Sequence, residues 1–374
     1  MKTIFSTLIF LLCAQSSYAA ENLILISVDG LRWQETFTGA DKDLIENKDF
    51  VKDSERLKQD LWRDNAEERR KTLMPFLWNT IIPNGVIIGN RATGSLMDVA
   101  NPWYFSYPGY NEMLTGAADP EINSNKKVPN KNVTFLEWAN NQSQYKGKVA
   151  AFGSWDVFPY ILNTERSQLP VNAGFMPAEG KTLTAKENFL NELQTEVPSP
   201  WDNVRLDAFT YGFAAEYIKR EQPNIIYISL GETDDFAHDG DYDHYLYSAQ
   251  RDDAFIGKLW ALLQSLPQYK NNTNLLITSD HGRGKTAADW QHHASKRAVE
   301  VYMKDLSETY PNGVEGSQST WFAAMGPDIR SAGEIKPKNT IHLQQVTATA
   351  LRTLGINPED FSAAAAPAIT EALK

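Results

Sequence analysis

Near its start the chain reads LILISVDG at residues 23–30, and this pattern is the first indication of the fold. Leu23 to Val28 form an apolar run with the length of a buried strand, and Asp29 follows at once. Two later apolar runs also lead into an aspartate: Ile225 to Leu230 precedes Asp234, and Leu275 to Thr278 precedes Asp280. A single Asp-Gly pair usually marks only a turn. Acidic residues after three separate strands instead indicate a shared site, because ligands bind at the carboxyl ends of strands in open α/β sheets.

Helical patterns alternate with these strands. Apolar residues recur at helical spacing in residues 206–217, 255–266 and 343–354, and further strands are expected at residues 149–152 and 321–324. Gly355 stands where a helix C-cap is expected. The alternation predicts an α/β fold with a mostly parallel central sheet flanked by helices.

Two segments interrupt this alternation. Residues 41–71 are densely charged and predict an exposed helical excursion, and residues 160–205 contain four prolines and predict an insertion or lid over the site. We therefore expect one catalytic domain over residues 20–374, with the insertion inside it.

The first 19 residues have the pattern of a secretory signal peptide. Lys2 precedes an apolar run from Ile4 to Leu12, and Ser17-Tyr18-Ala19 supplies small residues for cleavage after Ala19. The run is too short for a permanent membrane helix, so no stable membrane anchor is expected. Cys13 is the only cysteine, and the bulky Leu12 before it disfavours lipidation. Export without disulfides is typical of the bacterial periplasm, which is the expected location.

The net charge of −11 argues against nucleic-acid polymers as partners, because phosphate backbones attract basic surfaces. It does not exclude a small phosphorylated substrate, since bound metal ions invert the local field.

Six residues in these motifs are oxygen or nitrogen ligands for metals: Asp29, Asp234, His238, Asp280, His281 and His293. Three aspartates and three histidines suffice for two divalent ions, each with a position left for substrate. Imidazole ligands favour zinc-like metals. Asp239 to Asp243 also looks like a calcium loop, but the glycine and the terminal glutamate of such a loop are missing.

The ordered series of motifs resembles the alkaline phosphatase superfamily, and within it the nucleotide pyrophosphatase/phosphodiesterase branch. The motifs are ISVDGLR at residues 26–32, FSYPGY at 105–110, Asp234 to His238, SDHG at 279–282, and WQHH at 290–293. The resemblance implies an alkaline phosphatase-like fold. It also implies one metal ion held by Asp29, Asp280 and His281 beside Ser106, and another held by Asp234, His238 and His293. His292 is the rival to His293.

The resemblance places the nucleophile at Ser106. A serine hydroxyl needs a base or a metal ion to react, and no G-x-S-x-G elbow surrounds any serine of this chain. Pro108 suits the first turn of a helix, so Ser106 is expected near a positive helix end that favours phosphoryl oxygens. Ser95 and Thr115 are the alternative hydroxyls.

Substrate contacts are harder to assign. Asn111 is one helical turn beyond Ser106 and could bind phosphate, and Arg283 could clamp an anionic group. The family's downstream phosphate-binding asparagine matches either Asn123 or Asn125. The chain departs from the family where phosphodiesterases commonly continue the nucleophile motif with Asn-His-Tyr-type residues, and this leaves nucleotide substrates in doubt.

The sequence thus predicts a phosphohydrolase with two divalent metal ions, most simply zinc, that acts on a small phosphorylated substrate through a phosphoserine at Ser106. Monoester and diester substrates, and the oligomeric state, stay open. A sulfatase is the nearest alternative, but Tyr110 stands where its S-x-P-x-R motif needs arginine. The other alternative is a non-catalytic periplasmic metal-binding protein with the same fold.

Overall fold

The computed structural model describes residues 19–374. The predicted signal peptide, with Cys13, falls on residues 1–18, outside the described residues, apart from Ala19. Within residues 19–374, no helix is both long enough and apolar enough to cross a membrane.

The strands form one large sheet and one small one. Their bounds are β1 Asn22–Val28, β2 Gly85–Ile88, β3 Met97–Asp98, β4 Val149–Gly153, β5 Val171–Ala173, β6 Ile225–Leu230, β7 Thr273–Thr278, β8 Phe322–Met325, β9 Gly333–Glu334 and β10 Ile341–His342. The eight-stranded sheet has the order β5-β4-β6-β1-β7-β8-β2-β9, and β10 pairs with β3 in the second sheet.

Helices cover both faces of the large sheet. Their bounds are α1 Trp33–Thr38, α2 Lys42–Ile45, α3 Ser54–Leu61, α4 Ala66–Leu73, α5 Ser106–Thr115, α6 Phe135–Asn141, α7 Phe158–Ile161, α8 Thr164–Ser167, α9 Ala185–Glu196, α10 Asp207–Glu221, α11 Glu232–His238, α12 Tyr242–Ser265, α13 Lys296–Val301, α14 Gln345–Thr353 and α15 Pro358–Phe361. Short 3₁₀ turns and one π-helical turn at Leu77–Ile81 complete the regular structure.

Strand β1 lies at the centre and pairs in parallel with β6 and β7. Its alternate side chains enter two cores. Ile24 and Ile26 pack on one face of the sheet, and Leu23 and Leu25 pack on the other. A strand buried on both faces is typical of a parallel sheet covered by helices, and it explains the continuous apolar run. The predicted fold class is confirmed.

Several boundaries differ from the prediction. Helix α12 begins at Tyr242, well before residue 255, because Tyr245, Leu246 and Ala249 continue its buried face. Strand β8 begins at Phe322 and runs antiparallel to β7 and β2, a direction that an apolar run cannot reveal. Strand β2 was missed.

The two irregular segments are largely regular in the structure. Residues 41–71 contain α2, α3 and the start of α4, and their buried Leu57 and Leu61 join the core. Residues 160–205 contain helix α9 and also supply the edge strand β5. That residues 160–205 form an insertion or lid over the site stays a prediction.

One core acid is conspicuous. Asp252 on α12 is buried, and neither of its carboxylate oxygens has a hydrogen-bond partner among the described residues. Burial, and then the neighbouring carboxylates of Asp207 and Glu232, raises the pKa of Asp252 well above its ordinary value. The folded state therefore favours the neutral form of this group.

We expect Asp252→Asn to raise the free energy of unfolding at pH 7 by about 1–3 kcal/mol, because asparagine is neutral at every pH, whereas the buried carboxyl must take up a proton to be neutral above its unfolded-state pKa. The pKa of Asp252 is higher in the folded state than in the unfolded state, so its penalty is absent below the unfolded pKa, near 4, and grows as pH rises above it. Urea unfolding at pH 4 and pH 7 checks this. The increase in the free energy of unfolding should be smaller at pH 4. Asp202→Asn, at an exposed position, should leave the free energy of unfolding unchanged. A variant that is less stable at pH 7 would contradict the prediction.

Candidate active site

The register of the central strands brings the predicted acids together. Ser27 of β1 pairs with Ser229 of β6 and with Thr278 of β7, so the three strands end level with one another. Asp29 and Asp280 follow two of these ends, and α11, which contains Asp234, follows the third.

The first ligand group consists of Asp29, Asp280 and His281. The His281 Nε2 atom lies 3.3 Å from Asp29 Oδ1 and 3.4 Å from Asp280 Oδ2. Both oxygens are buried, and neither has a hydrogen-bond partner among the described residues. Buried carboxylate oxygens without partners, converging on an imidazole nitrogen, fit a divalent cation. The Ser106 Oγ atom lies 3.3 Å from the same Nε2 atom.

The sequence groups Asp234 with His238 and His293. In the structure, the donor atoms of Asp234, His281 and His293 lie close enough together to hold one ion, and His238 lies beside them. The Nε2 atoms of His238 and His293 lie 3.1 Å apart. Asp234 Oδ2 lies 3.3 Å from His238 Nε2, and Asp234 Oδ1 lies 3.8 Å from His293 Nε2. His281 Nε2 is also only 3.7 Å from Asp234 Oδ1, so the two groups adjoin. Carboxylate and imidazole donors in two adjoining sets fit a pair of divalent ions.

Backbone carbonyls orient two of the imidazoles. His281 Nδ1 lies 2.9 Å from the Gly282 carbonyl, and His293 Nδ1 lies 3.0 Å from the Tyr104 carbonyl. These contacts leave Nε2 free to bind a metal ion. Tyr104 has a left-handed backbone with φ of 59°, an uncommon conformation that aims its carbonyl at His293.

The neighbouring histidine has a different environment. His292 is half-buried, and its ring lies 5.5 Å from that of Tyr310, outside both ligand groups. His293 is thus the residue that the fold brings to Asp234.

The surroundings of Asp280 and Asp234 shift the pKa values of these two aspartates in opposite directions. Burial, and then the adjacent Asp29 carboxylate, raises the pKa of Asp280 well above its ordinary value. Burial acts in the same direction on Asp234, but the Arg283 guanidinium and the nearby imidazoles hold its pKa well below the ordinary value. Asp234 therefore has a permanently charged partner in Arg283, whereas the Asp29–Asp280 pair has only the His281 imidazole beside it.

The imidazoles respond to the same charges. Burial lowers the pKa of His281, but Asp280 and Asp29 outweigh it and raise the pKa to about 9. Burial, and then His281, lowers the pKa of His293 well below its ordinary value. Asp29 and Asp280 therefore stabilise positive charge at His281 Nε2. A divalent ion held by the same donor atoms would bring positive charge to this position.

Ser106 is the first residue of α5 and is buried beside the first ligand group. Helix α5 comes close to the Asp280 loop because residue 109 is glycine, and a Cβ atom there would lie 2.4 Å from the Asp280 carbonyl oxygen. One residue further along, the Tyr110 hydroxyl donates to Asp29 Oδ2 at 2.7 Å. Tyr110 therefore orients a ligand and does not contact the cavity.

A cavity of about 170 Å³ opens in front of Ser106. Besides Asp29, Asp234 and His238, its walls contain Asn125, Trp155, Asn203, Val204, Gly231 and Asp235. Asn125 Oδ1 accepts the backbone N–H of Tyr107 at 3.0 Å, which fixes the asparagine beside the start of α5. Asn123 lines a different cavity. Of the two asparagines considered from the sequence, only Asn125 reaches the site.

The predicted substrate contacts lie elsewhere. Asn111 is fully buried, and its Oδ1 accepts hydrogen bonds from Asn130 and Asn132, at 3.1 and 3.0 Å. Arg283 is also buried, and it donates to Asp234 Oδ1 at 2.7 Å. Their contacts therefore give no support to a substrate role: Asn111 does not line the cavity, and Arg283 binds Asp234.

The alternative nucleophiles have structural contacts. Ser95 donates to the Ile335 carbonyl at 2.8 Å, and Thr115 donates to the Asn111 carbonyl at 2.8 Å. Neither lines the cavity in front of Ser106. Sequence reasoning missed the walls formed by Trp155, Asn203 and Val204, because only tertiary pairing brings them to the site.

The sequence matches one known family. Residues 132–309 match the family described as type I phosphodiesterase / nucleotide pyrophosphatase. The matched segment includes Asp234, His238, Asp280, His281 and His293 and excludes Asp29 and Ser106. No curated protein matches the chain by sequence.

Solved structures share the fold. The alkaline phosphatase PafA superposes with a TM-score of 0.57 at 10% identity, over 95% of this chain and 99% of that one. A 2-O GAG sulfatase superposes with a TM-score of 0.52 at 13% identity, over 94% of this chain and 73% of that one. Ps i-CgsB gives a TM-score of 0.52 at 14% identity, over 94% and 75%.

At such low identities these structures show only the fold, and the family match indicates the type of reaction. The chain therefore has the alkaline phosphatase fold, its resemblance to the nucleotide pyrophosphatase/phosphodiesterase branch of that superfamily is confirmed, and the match indicates a hydrolase of phosphate esters.

Proposed function

We propose that the protein is a two-metal phosphodiesterase that uses Ser106 as nucleophile. One observation carries the proposal. The Ser106 hydroxyl lies 3.3 Å from His281 Nε2, at the junction of two carboxylate–imidazole groups, and faces a cavity of about 170 Å³. When bound, two divalent ions would lower the pKa of the hydroxyl and neutralise charge on the phosphoryl and leaving oxygens.

Ser106 and the residues around it position the reacting groups. The Ser106 oxygen attacks phosphorus, the bond to the leaving alcohol breaks, and water then hydrolyses the phosphoserine. The start of α5 presents its positive end to the phosphoryl oxygens. The Asn125 amide, whose oxygen is engaged by Tyr107, has its NH₂ group available to donate to a phosphoryl oxygen.

The charge of the cavity favours a diester over a monoester. Among the described residues that line it, none is lysine or arginine, and Asp235 is one of the walls. A monoester dianion carries one more negative charge here than a diester monoanion.

Zinc is the proposed metal, because three imidazoles share the ligand set with carboxylates. The proposed location is the bacterial periplasm, on the strength of the signal-type N-terminus. A sulfatase is disfavoured because Tyr110 binds Asp29 where the sulfatase motif requires arginine. A non-catalytic role is disfavoured because Ser106 is buried at the ligand groups.

Ser106→Ala should abolish turnover, by roughly 10³-fold or more, because it removes the nucleophile. The assay measures p-nitrophenyl phosphate and bis-p-nitrophenyl phosphate hydrolysis after chelation and zinc add-back. Ser95→Ala is the matched control and should retain activity. The zinc content of Ser106→Ala should stay at two ions per chain. Full activity in Ser106→Ala contradicts the assignment, and two bound zinc ions without any turnover in the wild type favour a sulfatase or a binding protein.

Asn125→Ala should lower kcat/KM by about 10²-fold, the usual loss when one donor to a developing oxyanion is removed. Steady-state kinetics with bis-p-nitrophenyl phosphate measures the change. Asn123→Ala provides the comparison and should leave kcat/KM unaltered, since Asn123 lines a different cavity. Equal losses in both variants would count against a phosphate contact from Asn125.

Asp235→Asn should shift the ratio of the two rates towards the monoester, because it removes a carboxylate from the cavity wall. The wild type should hydrolyse bis-p-nitrophenyl phosphate with a higher kcat/KM than p-nitrophenyl phosphate. Asp239→Asn is the control, since exposed Asp239 bonds to Trp201 and lies outside the cavity wall. An unchanged ratio in Asp235→Asn would remove the electrostatic basis for diester preference.

A further inference from the structure

The helix that contains Asp234 and His238 begins without a capping side chain of its own. Helix α11 starts after Gly231, which has no side chain to accept its first N–H groups. Asp207, the first residue of α10, accepts them instead. The Gly231 N–H donates to Asp207 Oδ1 at 2.8 Å, and the Glu232 N–H donates to Asp207 Oδ2 at 2.9 Å. A carboxylate at this end also interacts favourably with the helix dipole.

The contact is reciprocal. The Asp207 N–H donates to Glu232 Oε1 at 2.7 Å, so each acid accepts from the backbone of the other. Glu232 Oε2 accepts from Ser248 at 2.9 Å and from Arg251 at 2.6 Å, and the Ser154 hydroxyl donates to Asp207. Asp207 and Glu232 are both buried. We call this pair the Asp207–Glu232 latch.

The latch also adjoins the wall of the substrate cavity. Ser154 accepts the Arg205 N–H through its carbonyl at 3.0 Å, and Trp155 forms a bridge with Val204. Trp155 and Val204 line the cavity, as does Gly231 at the start of α11. One buried network therefore holds both the cavity wall and the helix that supplies two ligands.

We propose that Asp207, paired with Glu232, is a positioning residue of the active site. Its carboxylate fixes the start of α11 so that Asp234 and His238 meet His293 at ligand distances. Helix α11 has only seven residues, which is too short to be stable without tertiary contacts. The inference rests on the proposed function for the reaction, but its direct consequence is metal affinity.

The test is Asp207→Asn in the mature chain. Asparagine keeps the size but sets an NH₂ group against one of the two backbone N–H donors. Zinc binding is measured by competition with a chromophoric chelator, and cobalt-substituted protein is examined by visible absorption. We expect one zinc ion to bind as in the wild type and the second to bind about 10–100-fold more weakly. The cobalt spectrum should change, and kcat should fall more than KM rises.

Asp253→Asn is the matched control. Asp253 is equally buried, and its carboxylate accepts two backbone N–H groups, from Phe76 at 2.7 Å and from Leu77 at 2.8 Å. This variant should lose stability, as Asp207→Asn does, but keep both zinc affinities. If Asp207→Asn fails to fold, Ser154→Ala removes one donor to Asp207, together with a hydrogen bond to Thr210, and should weaken the same zinc ion less.

Wild-type zinc affinities in the Asp207 and Ser154 variants, or an equal loss in Asp253→Asn, would overturn the inference. Fewer than two zinc ions in the wild type would also overturn it. Two zinc ions without ester hydrolysis would instead refute the proposed function, and the comparison of zinc affinities would still decide the role of Asp207.

Discussion

The alignment of β6, β1 and β7 is the constraint on which the site depends. Because Ser27 pairs with both Ser229 and Thr278, three strands deliver their acids to one edge of the sheet. Side chains alternate across a strand, so a slip of one residue would turn the acid onto the wrong face. The buried apolar side chains of β1 on both faces prevent that slip. The core therefore stabilises an arrangement of carboxylates that repel one another.

Close backbone approach is the second requirement. Gly30 has a left-handed φ of 59°, and a Cβ atom there would lie 2.4 Å from Asp234 Oδ1. Its N–H donates to Asp280 Oδ1 at 3.1 Å. The glycine after Asp29 therefore lets Asp29 and Asp280, at two strand ends, approach Asp234 of helix α11. What reads in the sequence as an ordinary turn is a packing requirement of the site.

The sequence predicted which acids and histidines lie together better than it predicted their surroundings, for physical reasons. Acids after apolar runs are visible because strand ends converge in a parallel sheet. The direction of β8 is not visible, since an apolar run looks the same in either orientation. Asn111 lies one turn from Ser106, but that spacing does not determine which way the side chain points, and it points into an asparagine cluster. Arg283 was expected to meet substrate, but its contacts are with Asp234. Asp207 and Glu232 pair across 25 residues of chain, which no local pattern indicates.

Charge balance connects these features with the proposed substrate. Asp29, Asp234 and Asp280 carry three negative charges, and buried Arg283 carries one positive charge. Together these four side chains have a net charge of minus two. Two divalent ions would change this to plus two. A deprotonated Ser106 and a diester monoanion together neutralise that charge, whereas a monoester dianion leaves an excess negative charge beside Asp235. Uncompensated charge is costly in a buried site, so the same arithmetic that requires cations at the carboxylates also limits the charge of the substrate.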